Sequence, residues 1–366
     1  MSSQGIEGIS IDTHVDTVLA IVDYGHDLVS GKDGDYLSLP TMRKGHLTAA
    51  FFAAWTGSEG GSEAAWMRIA RQLDAIEKFA AENQNLIGIA KSAADIRALH
   101  GAGRNGIVLC IENGEPIGDR LHMIPELARR GVRYVTLTHF AANSWCDSST
   151  APEQFGGLSA LGRQAVAALE TNGIAIDVTH VSDKSFWQVI ESTTAPPIAS
   201  HSCARSITNH PRNLSDEMLS ALGARKGFVG IAFWPEYVTA RFQHALEAYV
   251  DGIDPQWRKK GSSAIGRLLS DVADEDIFGV IRNLDLPWPG MADVCDHIDA
   301  AVAKAGIDHV GIGSDHGAIA FPMQGLMDAG GLPNLRSELS RRGYDAIAID
   351  KIMGGNALAF LERLDH

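Results

Sequence analysis

Eight short runs of apolar and β-branched residues recur along the chain, at 8–14, 47–55, 106–112, 132–139, 174–180, 197–201, 227–233 and 309–315. Each is followed by a polar or glycine-containing stretch, and most by a segment with helical periodicity. Runs this apolar suit parallel strands buried on both faces, not the alternating strands of a half-exposed sheet. Eight strands alternating with helices predict a (β/α)8 barrel, with an open doubly wound sheet as the alternative. Helices are expected over 64–82, over 159–172, where Asn172-Gly173 makes a stop, and over 182–192 and 215–225, which begin at serine caps. A last helix over 346–364 would complete the ring. The stretch 234–289 is helical and polar and has no strand. It reads as an insertion after strand seven, on the side where barrel active sites lie, serving as a lid or a dimer contact. Nothing in it marks a linker, and 366 residues are ordinary for one barrel with insertions, so 1–366 is read as a single domain.

Composition removes several classes of function. A formal net charge of −14 argues against nucleic acid as a partner, because phosphate binding needs a basic surface. The longest apolar run, 47–55, is too short to cross a bilayer. Residues 1–7, Met-Ser-Ser-Gln-Gly-Ile-Glu, lack the basic and apolar regions of a signal peptide, so a cytoplasmic location is expected. The four cysteines, at 110, 146, 203 and 295, have neither the CxxC pattern nor the density of a thiolate zinc site or a disulfide scaffold.

Catalytic side chains of a (β/α)8 enzyme project from the C-terminal ends of its strands. Six of the eight runs finish on His, Asp or Glu. His14 and Asp16 are two apart, so on an extended strand they share a side and can grip one cation. His180 and His201, on neighbouring strands, can supply two nitrogens to a second, and Glu112 lies between the pairs in barrel order, placed to reach both. Two divalent ions a few ångströms apart repel strongly and need anions between them. Asp16, Glu112 and a bridging hydroxide would offset three of the four positive charges. The remaining one favours the oxyanion that forms when an amide carbonyl is attacked. Asp315 is a candidate proton carrier, with a metal ligand or a partner orienting a histidine as its other readings. His139 is not needed to complete either ion site and is free to donate a hydrogen bond to the oxyanion.

These residues lie in stretches that resemble the renal (membrane) dipeptidase family of metal-dependent barrels. The matching pieces are 11–16, LPTMRKGHLTAAFFAAW at 39–55, 111–114, GVRYVTLTHFAANSWCD at 131–147, 157–162, 174–182, 197–214 and 309–315; the most specific are TLTH, IDVTHVS and ASHSCARSITNHPRN. The resemblance implies a binuclear zinc dipeptidase acting on L-Xaa-L-Xaa or L-Xaa-D-Xaa by attack of a metal-bridging hydroxide. It implies two zinc ions per subunit, one held by His14 and Asp16, the other by His180 and His201, with Glu112 bridging. His139 would contact the scissile carbonyl, Asp315 would be the general acid/base, and Arg212 would bind the dipeptide's C-terminal carboxylate. A guanidinium suits that last role because it offers two parallel hydrogen bonds. A homodimer is also implied. After Asp315 the family commonly continues Phe-Asp-Gly, whereas this chain has His316-Gly317-Ala318, which bears on substrate preference. Mammalian members are secreted and lipid-anchored; this chain looks like a soluble bacterial-type member. A His/carboxylate ligand set also accepts manganese and other ions. The rival readings are a related barrel acting on another amide or a lactone, and a metal-binding protein without catalysis.

Overall fold

The computed structural model describes residues 8–32, 36–56, 61–256, 264, 284–317 and 323–365. Among them are nine strands: β1 Ile11–Val15, β2 Ala49–Trp55, β3 Ile87–Ile89, β4 Asn105–Glu112, β5 Val132–Thr136, β6 Ala175–Asp177, β7 Ile198–Ser202, β8 Phe228–Ile231 and β9 Val310–Ile312. All pairings are parallel. β1 lies between β2 and β9, β2 pairs directly with β4, and β4 to β9 follow in order. Eight strands therefore close into a barrel, and the open sheet is ruled out. β3 stands outside the ring against residues 105–107 of β4, before β5 takes over at Leu109. It was not among the eight runs because three residues, Ile-Gly-Ile, are too few to show a period.

Alternation along β2 sorts the core into two layers. Ala49, Phe51 and Ala53 join Ile11, Val108, Cys110, Tyr134, Ile198 and Phe228 in the cluster that fills the barrel. Ala50, Phe52 and Ala54 belong to the larger layer under the surrounding helices. Phe51 stacks on Tyr134 with ring centroids 5.7 Å apart, and Phe360 of the C-terminal helix meets Phe228 at 6.0 Å, closing the end where the strands begin. Tyr134 stands above this plug, towards the strand ends.

Two breaks in register re-aim the strand ends. Pairing of β1 with β2 shifts between Asp12 and Val15, and pairing of β7 with β8 shifts between Ala199 and Ser202. Without a break, Ile11 and Val15 would face the same way; instead Ile11 lies in the barrel interior and Val15 in the outer layer. Such irregularities turn the strand over locally, and here they bring His14, Asp16 and His201 to the barrel mouth.

The helices follow their caps. Ser159, Ser182 and Ser215 each accept from the backbone N–H three residues on, opening helices Ala160–Thr171, Asp183–Ser192 and Asp216–Ala224. The 64–82 segment forms helix Gly61–Glu82. The last helix is not continuous: Ala346–Asp350 and Asn356–Leu364 flank a turn at Lys351–Gly355. A Cβ on Gly354 would sit 2.7 Å from Ile9 O and Ile11 N, so the break lets this segment press against the start of β1. The insertion does follow the seventh strand of the ring, β8, with helices Pro235–Val238 and Ala240–Ile253. Apart from Ala264, residues 257–283 lie outside the described residues, and with them most of the expected lid or dimer contact. Among the described residues no helix is long and apolar enough to cross a membrane.

The barrel wall is tightest beside the mouth. A Cβ on Gly313 would lie 1.8 Å from the backbone oxygen of Ser200. Gly313→Ala is expected to lower unfolding stability by about 3 kcal/mol in denaturant titration. Gly101→Ala, where no atom lies within 4 Å, is expected to be neutral or slightly stabilising.

Candidate active site

Seven of the eight residues singled out in the sequence converge at the mouth, around Glu112. Its Oε1 lies 3.0 Å from His180 Nε2, 3.3 Å from His201 Nε2 and 3.8 Å from His139 Nε2. Its Oε2 faces the other way, 3.7 Å from His14 Nε2. That same nitrogen is 3.4 Å from Asp16 Oδ1 and 3.8 Å from Asp315 Oδ1. Arg212, the eighth, is buried beside this group and donates from Nη2 to His201 O at 3.2 Å.

The backbone is bent at the strand ends to achieve this. Asn113, His180 and Asp315 have φ values of 85°, 69° and 65°, in the left-handed region that L side chains rarely adopt. Each follows or ends a strand and carries or adjoins a site residue, so the sharp turn is what swings the side chain over the barrel axis. Conformations of this kind cost on the order of 1–3 kcal/mol each and persist where the surroundings enforce them.

Hydrogen bonds fix which ring nitrogens face the centre. Tyr134 O–H donates to Thr13 O at 3.0 Å, so its oxygen accepts from His14 Nδ1 at 2.7 Å, and His14 Nε2 points at the carboxylates. Ser200 O–H donates to Asp177 Oδ2 at 2.7 Å and accepts from His201 Nδ1 at 2.9 Å, which turns His201 Nε2 inward with its lone pair free. Asp177 is itself held by Thr136 Oγ1 at 2.5 Å and by the backbone N–H groups of Thr179 and Ser200. Neutral imidazoles presenting a lone pair inward are what a metal needs.

Electrostatics keep His139, His180 and His201 neutral but favour a proton on His14. Burial alone would lower the pKa of His14, but Glu112, Asp16 and Asp315 raise it to about 10. Burial pushes Glu112 well above the usual carboxylate range and Asp315 up to about 7, the latter helped by Asp16 and opposed by His14 and Arg212. Burial, with Arg212 nearby, pushes His139 down to about 3 and His180 well below its ordinary value. Among the described residues, His14 Nε2 and Asp16 Oδ1 are buried without a hydrogen-bond partner. Among the same residues, three groups of potential ligands each have atoms within 4.8 Å of one another: His14, Glu112 and His201; Glu112, His139 and His180; His14, Asp16 and Asp315. A cluster of carboxylates and bare imidazole nitrogens with orphaned buried atoms fits divalent cations. These groupings cut across the expected division of ligands and bring His139 and Asp315 within ligand reach as well.

The sequence model of the membrane dipeptidase family, peptidase family M19, matches residues 6–365. The chain belongs to that family. Among its relatives, the dipeptidase aclJ of Aspergillus oryzae is 28% identical, with 93% of this chain and 72% of that one covered. The dipeptidase ataJ of Aspergillus terreus is 26% identical over 88% of this chain and 75% of its own. The crystal structure of the probable dipeptidase PvdM from Pseudomonas aeruginosa superposes with a TM-score of 0.84 at 28% identity, covering 97% of this chain and 95% of that one. Membership of this family makes the protein a metal-dependent dipeptidase, and the cluster at the barrel mouth groups side chains that could hold a metal ion.

The orienting residues Tyr134, Asp177 and Ser200 escaped the sequence reading. Asp177 had a signal, a lone acid in an apolar strand three residues before His180; Tyr134 looks like any core aromatic. Removing an orienting partner typically weakens metal binding about 10- to 100-fold. Tyr134→Phe and Ser200→Ala are each expected to do so in chelator competition, with the fold intact. Because the carboxylates keep His14 protonated up to about pH 10, a metal ion must displace that proton at neutral pH. Uptake by the ligand set containing His14 should therefore release about one proton, and affinity should rise with pH. Calorimetry in buffers of different ionisation enthalpy measures this directly.

Proposed function

We propose that the protein is a binuclear zinc dipeptidase that hydrolyses L-Xaa-L-Xaa or L-Xaa-D-Xaa substrates. The observation that carries this reading is the two-sided placement of Glu112, one oxygen towards His180 and His201 and the other towards His14 beside Asp16. A carboxylate so placed can be shared by two ions, with His14 and Asp16 completing one ligand set and His180 and His201 the other. Two divalent cations held by these residues would supply Lewis-acid polarisation of the carbonyl and an activated water.

The remaining groups divide the work of binding and proton transfer. Arg212, buried and with no partner for Nε among the described residues, pairs with the free C-terminal carboxylate of the substrate. A longer peptide would place a third residue where that carboxylate sits, which selects dipeptides. His139, kept neutral by burial, donates its N–H to the carbonyl oxygen as negative charge develops. Asp315, with its pKa raised towards neutrality, takes the proton from the attacking water and passes it to the departing amine nitrogen.

Metal analysis and a dipeptide panel test the reading: about two zinc ions per chain are expected, with turnover lost on chelation. One ion or none, with no turnover after zinc is supplied, would overturn it. Asp315→Asn is expected to lower kcat by about 10²- to 10⁴-fold while leaving metal content unchanged. Arg212→Ala is expected to lower kcat/KM on dipeptides by about 30-fold or more. A related barrel acting on a lactone or an uncharged amide would tolerate that change.

A further inference from the structure

Arg212 lies on the loop after β7, and a loop places a side chain accurately only when buried contacts support it. Among the described residues its guanidinium makes one hydrogen bond, to His201 O, and rests on the ring of Tyr237 at 4.9 Å. Its backbone N–H donates to His210 Nδ1 at 3.1 Å. With that nitrogen accepting, the ring proton of His210 is on Nε2, which faces Glu236 Oε1 at 3.5 Å. The same carboxylate oxygen accepts from Ala264 N–H at 3.2 Å. The His210 ring also lies 4.8 Å from that of Tyr237. His210 thus touches two of the three things that locate Arg212, its main chain and the ring beneath its guanidinium; the third is the hydrogen bond to His201 O.

Glu236 is the costly member of this group. Its side chain and that of His210 are 1% and 3% exposed, and among the described residues Glu236 Oε2 has no hydrogen-bond partner. Burying a carboxylate so thinly bonded is unfavourable, and an apolar side chain of the same size would stabilise the fold at least as well. What an apolar residue could not do is hold His210 in the tautomer that accepts from Arg212.

We propose that His210 and Glu236 are positioning residues for recognition of the substrate's carboxylate: Glu236 fixes the ring of His210, and His210 fixes Arg212. The inference rests on the reading of Arg212 given above. It assigns the pair no contact with substrate or with the metal ligands.

Steady-state kinetics on a free-acid dipeptide such as Ala-Ala test it, with metal content measured alongside. His210→Ala and Glu236→Met are expected to raise KM about tenfold, the loss of one hydrogen bond, with kcat within about twofold and metal content unchanged. Glu236→Gln keeps an acceptor oxygen and is expected to restore KM to near the wild-type value. In an Arg212→Ala background, His210→Ala should have no further effect. If His210→Ala fails to fold, His210→Phe fills the same volume without an acceptor and carries the same test. Loss of kcat or of metal at unchanged KM, equal losses in the Gln and Met variants, or effects that add to those of Arg212→Ala would overturn the proposal. If Arg212→Ala itself leaves KM for the free acid unchanged, the reading of Arg212 fails first, and the two failures are told apart.

Discussion

Burial of Glu112 among other titratable groups is the interaction on which the rest of the structure depends. Its carboxylate is almost wholly removed from water, yet three imidazoles, from His14, His180 and His201, lie within 3.7 Å of its oxygens, and two more carboxylates, Asp16 and Asp315, lie just beyond His14. Without counter-ions, that much negative charge in a dry pocket is held only by shared protons, which is why His14, Glu112 and Asp315 all bind protons more tightly than usual. Divalent cations held there would replace those protons and relieve the repulsion, so protons and ions would compete for the same atoms.

Holding such a cluster together requires a scaffold that does not relax. Parallel strands supply it, because their C-terminal ends converge on one mouth while both faces stay buried. Regular strands would still aim alternate residues at the helices. The register breaks in β1 and β7 and the left-handed turns at His180 and Asp315 correct that aim. Close backbone packing keeps the correction in place: Gly230 and Gly313 have no room for a Cβ against Ser200 O. Strain at the mouth is tolerated because the barrel wall beneath it cannot shift.

The parts legible in the sequence were those governed by simple periods. Buried parallel strands announce themselves as apolar runs, and ring order follows from chain order, so the barrel and the seven residues at its mouth could be read directly. Pairing of His14 with Asp16 was read from a two-residue spacing, and the side chains do meet, although the strand is irregular just there. What could not be read has no period. β3 is too short, the break at Gly354 depends on contact with β1, and Tyr134 gains its role only through the distant Thr13 and His14. Arg212 came from resemblance alone, since one arginine in a loop carries no pattern. The network behind it, His210 with Glu236, joins residues 26 apart in sequence that meet only in the folded chain.

Charge at Arg212 links recognition to chemistry. The guanidinium lowers the proton affinity of Asp315 and of His139 through space. In the proposed reading, a substrate carboxylate neutralises that guanidinium on binding, and both groups then hold protons more strongly. Asp315 becomes a better acceptor when the water is to be deprotonated. His139 gains basicity too, but from so low a starting point that it stays neutral and keeps its role as a hydrogen-bond donor. A ligand without a carboxylate would leave the positive charge in place and Asp315 a weaker base. Selection for a free C-terminus would then operate on the chemical step as well as on binding, because one buried charge serves both.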